Sequence, residues 1–333
     1  VTGLATLSPD HLPLLVTGAT GVAGYNARFH FLARYPGQIV CLRPIQTAEF
    51  VGDDVRGIDS EDEAGLERLF REFGFRTVLN ATGNCALKAC EQNAAMARRI
   101  NTSSAAIVAR LAVKYAARLV HVSSDLVFSG TLGRPYREDD PTDPVTVYGK
   151  SMVEGEAAIR ELCPSGAVLR ISLPMGPSFN GHAGAIDWIQ SRFRASRPAT
   201  LYYDEVRSAT YCDDLNAVFE HFLATRDAGT YHLAGPRGVT LYQIGQVVNR
   251  VGGYPAELLH GKLRHEAGPM PPRAGDCRMA GAKLRAVLGC EAFRPWPVGD
   301  ELVPADRAWH FDRPAGEANG PTRLRERLYR YPE

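Results

Sequence analysis

Short apolar runs alternate with stretches of helical period along much of the chain. Leu14-Leu-Val16 runs into a glycine-rich turn, residues 25–35 then read as a helix, and Gln38-Ile-Val-Cys-Leu42 reads as a second strand. Gly57-Ile-Asp59 is a short strand, and 60–73 a helix in which Ser60 and Glu63 have the spacing of a capping box. Thr77-Val-Leu-Asn80 follows, ending in the small residues Ala81, Thr82 and Gly83. The span 91–117 is rich in helix formers, and Leu119-Val-His-Val122 returns to extended structure. This strand–helix alternation, without internal repeats or low-complexity tracts, predicts an α/β fold built on a doubly wound parallel sheet. Residues 1–11 carry no period and are expected to form a flexible leader.

Composition narrows the class. At 333 residues with 45% hydrophobic content, the chain can bury one large α/β core and a smaller second one. A formal net charge of +1 with no basic run gives no electrostatic reason to expect nucleic acid or an anionic membrane surface, so a small-molecule substrate is the better expectation. No run of roughly 20 apolar residues is present, nor an N-terminal signal pattern, which predicts a soluble, cytoplasmic protein. The 7 cysteines are scattered without a Cys-x-x-Cys pair, so neither a disulfide framework nor a metal site is expected.

The first turn carries candidate chemistry. In Thr17-Gly-x-x-Gly-x-x-Gly24 the glycines at 18, 21 and 24 permit a tight turn and let backbone N–H groups approach a pyrophosphate at a helix N-terminus. Placed after the first strand, this is the opening of a dinucleotide-binding fold, with Gly18, Gly21, Val22 and Ala23 holding the pyrophosphate. Arg43 follows the second strand, where an acidic residue would bind the ribose of NAD. An arginine there would accept the 2′-phosphate of NADP, or would simply be solvated. Asp59 would meet the adenine amine or cap the following helix.

The second chemical stretch is Leu119-Val-His-Val-Ser-Ser-Asp-Leu-Val-Phe-Ser-Gly130, followed by Val147-Tyr-Gly-Lys-Ser-Met-Val-Glu-Gly-Glu156. It reads as a buried strand that delivers hydroxyls and a carboxylate at its end, then a helix opening with a tyrosine. A ketone reductase needs a proton donor beside the carbonyl oxygen, and Tyr148 with Ser124 supplies one. The plainer reading is a buried tyrosine and a serine at a strand-end turn.

Together with Pro135-Tyr-x-Glu138, Leu169-Arg-Ile-Ser172, Arg207-Ser-Ala-Thr210, Asp213-Asp-Leu215 and Gly229-Thr-Tyr-His-Leu-Ala-Gly235, these motifs resemble the extended short-chain dehydrogenase/reductases. Within them the nearest pattern is the dTDP-4-dehydrorhamnose reductase branch, over about residues 12–298. The resemblance implies a Rossmann-like domain formed by 12–172 and 205–235, a smaller α+β substrate domain from 173–204 and 236–298, and a C-terminal extension at 299–333. It implies catalysis by Ser124 and Tyr148, and cofactor contacts that add Thr20, Ala81, Thr82, Gly83, Ser123 and Leu173 to those above. Ser124, Asp125 and Arg207 would meet the substrate, a nucleotide-linked sugar; Arg207 and Arg273 are each a diphosphate ligand or a surface ion pair. Asp125 is followed by Leu126 where related dehydratases would carry glutamate, which favours reduction over dehydration.

One residue departs from the family pattern Tyr-x-x-x-Lys. Met152 stands one helical turn after Tyr148, in the place of the lysine that holds the nicotinamide ribose and lowers the phenol pKa. Lys150, about 200° around the helix axis from Tyr148, points elsewhere. Without the cation, a phenol of pKa about 10 stays neutral at pH 7: still a proton donor in the reducing direction, but a poorer base in the oxidative one. Lys88 or a substrate-domain arginine is a candidate replacement. Three readings follow: an NADP(H)-dependent reductase, with NAD as the other cofactor; a non-catalytic dinucleotide-binding regulatory or scaffold protein; or an enzyme with different chemistry, such as epimerisation. In the second half, Trp188 and Phe193 suit core packing or a ligand platform. The aromatic and basic stretches 307–314 and 323–331 suggest a tail that packs on its own subunit or on a neighbour in a homo-oligomer.

Overall fold

The computed structural model describes residues 3–314 and 316–330; Tyr331, at the end of the second tail stretch, and the first two leader residues lie outside them. Six strands open the fold: β1 (Leu14–Thr17), β2 (Ile39–Arg43), β3 (Val55–Gly57), β4 (Thr77–Asn80), β5 (Arg118–Ser124) and β6 (Ala167–Ile171). Short strands β7 (Pro174–Met175), β8 (Ala199–Tyr202), β9 (Val206–Arg207) and β10 (Thr210–Tyr211) lead to β11 (Gly229–Leu233), then β12 (Val239–Thr240) and β13 (Leu259–Lys262). The helices are α1 (Val22–Arg34), α2 (Glu63–Phe73), α3 (Leu87–Gln92), α4 (Ala94–Arg98), α5 (Ser104–Lys114), α6 (Val147–Leu162), α7 (Ala185–Arg194), α8 (Cys212–Ala224), α9 (Leu241–Gly252), α10 (Ala282–Leu288) and α11 (Pro321–Leu324).

The main sheet has seven parallel strands in the order β11-β6-β5-β4-β1-β2-β3. The chain winds outward one way from β1 and the other way from β4, so the strand order reverses between them, and it is at the carboxyl ends beside such a reversal that open α/β sheets form their ligand crevice. Helices cover both faces, which is why Leu14-Leu-Val16 is apolar at every position rather than alternating. One face packs α1 and α8 through Phe31, Phe219 and Phe222. The other packs α2, α5 and α6 through Leu66, Leu111 and Ile159. A second lobe is built around the paired strands β7/β10, β9/β12 and β8/β13 with α7 and α9.

Several details differ from the sequence reading. The cap of α2 is Asp62, which accepts the Gly65 N–H at 2.9 Å, not Ser60 with Glu63: a capping residue must lie within reach of its own first turn, and the turn begins at Glu63. Described leader residues are anchored, with Leu7 buried in the sheet core and its N–H donating to Glu220. Segment 282–293, assigned above to the substrate domain, instead contributes Leu284, Leu288 and Phe293 to the main-sheet core beside β11. The tail packs on its own second lobe through Leu302, Leu324 and Leu328. On α7, Phe193 is buried while Trp188 is 41% exposed. All seven cysteines are free. Among the described residues, no helix is long and apolar enough to cross a membrane, and no group of three His, Cys, Asp or Glu could hold a metal ion.

Candidate active site

The cradle is set by backbone contact. Gly18 has φ +65°, and a Cβ there would lie 2.2 Å from the Ala81 carbonyl oxygen, so β1 and β4 can converge at the crevice only through glycine. A Cβ on Gly24 would lie 2.3 Å from the Gly18 oxygen. Gly21 is different: its added Cβ would meet only the Gly18 oxygen, at an ordinary 3.5 Å, so protein packing does not demand it. Gly21 is also the exposed N-cap of α1, with no side-chain cap, leaving the first-turn N–H groups open to an anion. An uncapped helix start beside a glycine that no protein contact requires fits a bound pyrophosphate. Behind it, Thr17 donates to Asn80 at 2.6 Å and Asn80 contacts His121 at 3.0 Å, joining β1, β4 and β5. Burial pushes His121 down to about 4, so the stitch stays neutral.

Arg43 and Asp59, the residues expected on the adenosine side, lie at the end of β2 and just after β3. Arg43 donates to the Pro44 and Ile45 carbonyls at 3.0 and 2.9 Å, and Asp59 accepts the Ile45 N–H at 3.0 Å. Both hold the loop after β2, and both remain partly accessible. Thr20, Ala81, Thr82 and Leu173 are partly buried around the crevice, and Gly83 is exposed.

Ser124 ends β5 and Tyr148 is the second residue of α6. Thr146 caps this helix through Gly149 N–H at 3.0 Å, and Val147 N–H donates to Glu91 at 2.7 Å. A Cβ at 149 would sit 2.2 Å from the Leu126 oxygen, so Gly149 lets the start of α6 close onto the turn that follows Ser124. Tyr148 is buried, and burial raises its phenol pKa well above the ordinary value. Cys85, Asp125 and Cys90 act in the same direction, while the Ser124 hydroxyl acts in the opposite one. Met152 is 3% exposed in an apolar cluster with Tyr148, Cys90, Phe128 and Val127. Lys150 and Lys88 are both exposed.

Ser124 donates to Asp125 at 3.3 Å, and Asp125 accepts from Ser172 at 2.6 Å. Arg207 lies 3.5 Å from Asp125 and donates to Glu205 at 2.8 Å; Arg273 reaches Glu205 at 3.7 Å. Asp125 and Arg207 therefore face one another, both buried, and tie the end of β5 to the second lobe. Burial lifts the Asp125 carboxyl above its usual range against the pull of Arg207. Ser123 points to the opposite face and donates to Glu156 at 2.6 Å, beneath the Arg170–Glu156 ion pair at 2.8 Å.

Asn101 was not singled out from sequence. It lies in a π-helical turn, Arg99–Ser103, between α4 and α5, where it accepts the Asn84 N–H at 2.7 Å and donates to Ser151 at 2.9 Å. It thereby links the loop after β4 to α6. A helix-rich sequence gives no sign of such a bulge, although bulges of this kind gather at functional sites.

A parallel doubly wound sheet, a glycine cradle at its strand-order reversal and a serine–tyrosine pair beside it define a dinucleotide-binding fold of the short-chain dehydrogenase/reductase type. The family model described as RmlD substrate binding domain matches residues 12–298, and the chain belongs to this dTDP-4-dehydrorhamnose reductase-like family of extended short-chain dehydrogenase/reductases. It is 30% identical over 259 residues to the dTDP-4-dehydrorhamnose reductase of Mycobacterium tuberculosis, covering 75% of each chain. It is 25% identical over 305 residues to the methionine adenosyltransferase 2 subunit beta of Xenopus laevis, covering 89% of each. The dTDP-4-dehydrorhamnose reductase of Bacillus anthracis, solved in complex with NADP, superposes with a TM-score of 0.70 at 19% identity, covering 85% of this chain and 95% of that one.

Proposed function

We propose that this protein is an NADP(H)-dependent reductase of the 4-keto group of a nucleotide-linked deoxysugar. The observation that carries the reading is the meeting of Ser124 and Tyr148 beside the glycine cradle, in a chain whose relatives include dTDP-4-dehydrorhamnose reductases. A bound reduced nicotinamide would supply the hydride. Gly18, Gly21, Val22 and Ala23 would hold the pyrophosphate, with Arg43 and Asp59 on the adenosine side and Ala81, Thr82, Gly83 and Leu173 along the cofactor. Arg43 supports the phosphorylated cofactor, with NAD as the other candidate.

Tyr148 acts as general acid, passing its phenolic proton to the carbonyl oxygen while the Ser124 hydroxyl polarises the same oxygen. The buried phenol, with Met152 where a cation would lower its pKa, is held in the form that donates. Such a site favours reduction and serves poorly as a base for oxidation. Asp125 and Arg207 act here as the joint that fixes the Ser124 end of the strand. Purified protein with NADPH and a panel of nucleotide 4-keto sugars should show cofactor oxidation, and Tyr148→Phe should lower the rate by about 10²–10⁴-fold with dinucleotide binding retained.

A second reading has its own support: Met152, together with the similarity to a methionine adenosyltransferase subunit beta over 89% of both chains, suits a non-catalytic dinucleotide-binding subunit. Tight NADPH binding with no turnover on any carbonyl would favour it.

A further inference from the structure

The segment between β7 and α7 lies across the first turns of α1. Asn26 on α1 donates to the Val22 carbonyl at 2.8 Å and to the Pro177 carbonyl at 2.9 Å. Phe179 reaches past α1 and packs edge-on against Phe50 at 4.8 Å and near Tyr25 at 6.2 Å, both in the nucleotide-binding lobe. At the far end Gly184, with φ +82°, lies so close to Val22 that an added Cβ would meet its methyl at 2.8 Å. Val22 is the first residue of α1, directly beside the open N–H groups of the cradle.

The segment is also held from behind. Asp187, in the first turn of α7 and 7% exposed, accepts both the Ser178 N–H at 2.7 Å and its hydroxyl at 2.5 Å. Its other oxygen accepts from the Tyr329 hydroxyl, which in turn accepts from Gln190 Nε2 at 2.5 Å. Tyr329 comes from the tail beyond the family-matched residues 12–298. The tail is fixed beside it, because Leu328 is fully buried and its carbonyl accepts from Trp296 Nε1 at 3.0 Å.

We propose that residues 176–184 form a strap that closes over the dinucleotide pyrophosphate, and that Tyr329 of the C-terminal tail is the positioning residue that holds it closed through Asp187 and Ser178. The strap rests on the dinucleotide reading of the cradle. Asp187 gathers three hydrogen bonds from two directions, so the strap and the tail share one buried acceptor. Removing either donor loosens the same connection.

The test measures NADPH release by stopped-flow displacement from the full chain, with hydrogen exchange of residues 177–185 followed in parallel. Ser178→Ala and Tyr329→Phe should each release NADPH about tenfold faster, the scale of a lost hydrogen bond to a charged group, and Phe179→Ala, which removes the aromatic contact with Phe50, by about tenfold as well. Strap exchange should rise while the glycine cradle keeps its protection. Because Ser178→Ala and Tyr329→Phe act through one carboxylate, their effects should be less than additive in the double variant. Ser178→Ala, within the strap itself, carries the test should Tyr329→Phe fail to fold. Wild-type release rates in Phe179→Ala and Ser178→Ala would overturn the strap while leaving the cofactor reading standing. Failure of the wild-type protein to bind NADPH or NADH would overturn both.

Discussion

The glycine cradle and the tyrosine helix border the same crevice, but different things hold them in place. At the cradle, backbone meets backbone: Gly18 against Ala81 and Gly24 against Gly18, at distances no larger residue fits. At the tyrosine helix, side chains do the holding, and they share the task unequally. Glu156, two turns after Tyr148, fixes α6 to β5 and β6 through Ser123 and Arg170, whereas Met152 between them contributes only apolar packing. A backbone-defined cradle keeps its geometry or loses the fold. A side-chain-defined site keeps its tyrosine in position with the apolar Met152 packed one helical turn away.

The largest effect is expected at Glu156. Glu156→Gln leaves the Arg170 guanidinium buried beside an uncharged partner and should cost about 3–5 kcal/mol in denaturant unfolding. Burial works against the Glu156 carboxylate, but Arg170 and Ser123 outweigh it and hold its pKa below the usual value. The stability it contributes is therefore present above the unfolded carboxylate value, about 4.3, and is lost as pH falls through the lower folded value. The wild-type advantage over the Gln variant should shrink along that acid limb; a difference independent of pH there would mean that Glu156 is not the anchor.

Gly18→Ala comes next, at about 3 kcal/mol from the backbone clash and the positive φ together. NADPH binding should fall with it. An alanine variant of wild-type stability would show that the cradle is less constrained than the 2.2 Å approach requires. The smallest effect is the most informative about chemistry. Met152→Lys places a cation one turn from Tyr148 and should lower the phenol pKa by about 1–2 units, read as phenolate absorbance against pH. No shift would mean that the new ammonium turns away from the crevice.

The parts of this molecule that were legible in its sequence are those with local causes. The main strands and their parallel, doubly wound class follow from apolar runs alternating with helical stretches, the cradle from three glycines, and the place of Met152 from a helical turn counted from Tyr148. What was missed depends on distant partners. Arg207 faces Asp125 across 82 positions of sequence, and Asn101 meets Ser151 across 50, neither of which a periodic pattern encodes. The leader and the tail lack strong periodicity because each packs a few anchors, Leu7 or Leu328 and Tyr329, into cores built by other segments.

Tyr148 is a buried phenol held in its protonated form, with Met152 packed one helical turn away. Titrating phenolate absorbance in the wild-type protein and subtracting the Tyr148→Phe variant isolates this one group. No Tyr148 increment is expected up to and beyond the ordinary phenol value of about 10. An increment with its midpoint at or below about 8 would reveal a cation beside the phenol and contradict its burial-held protonation.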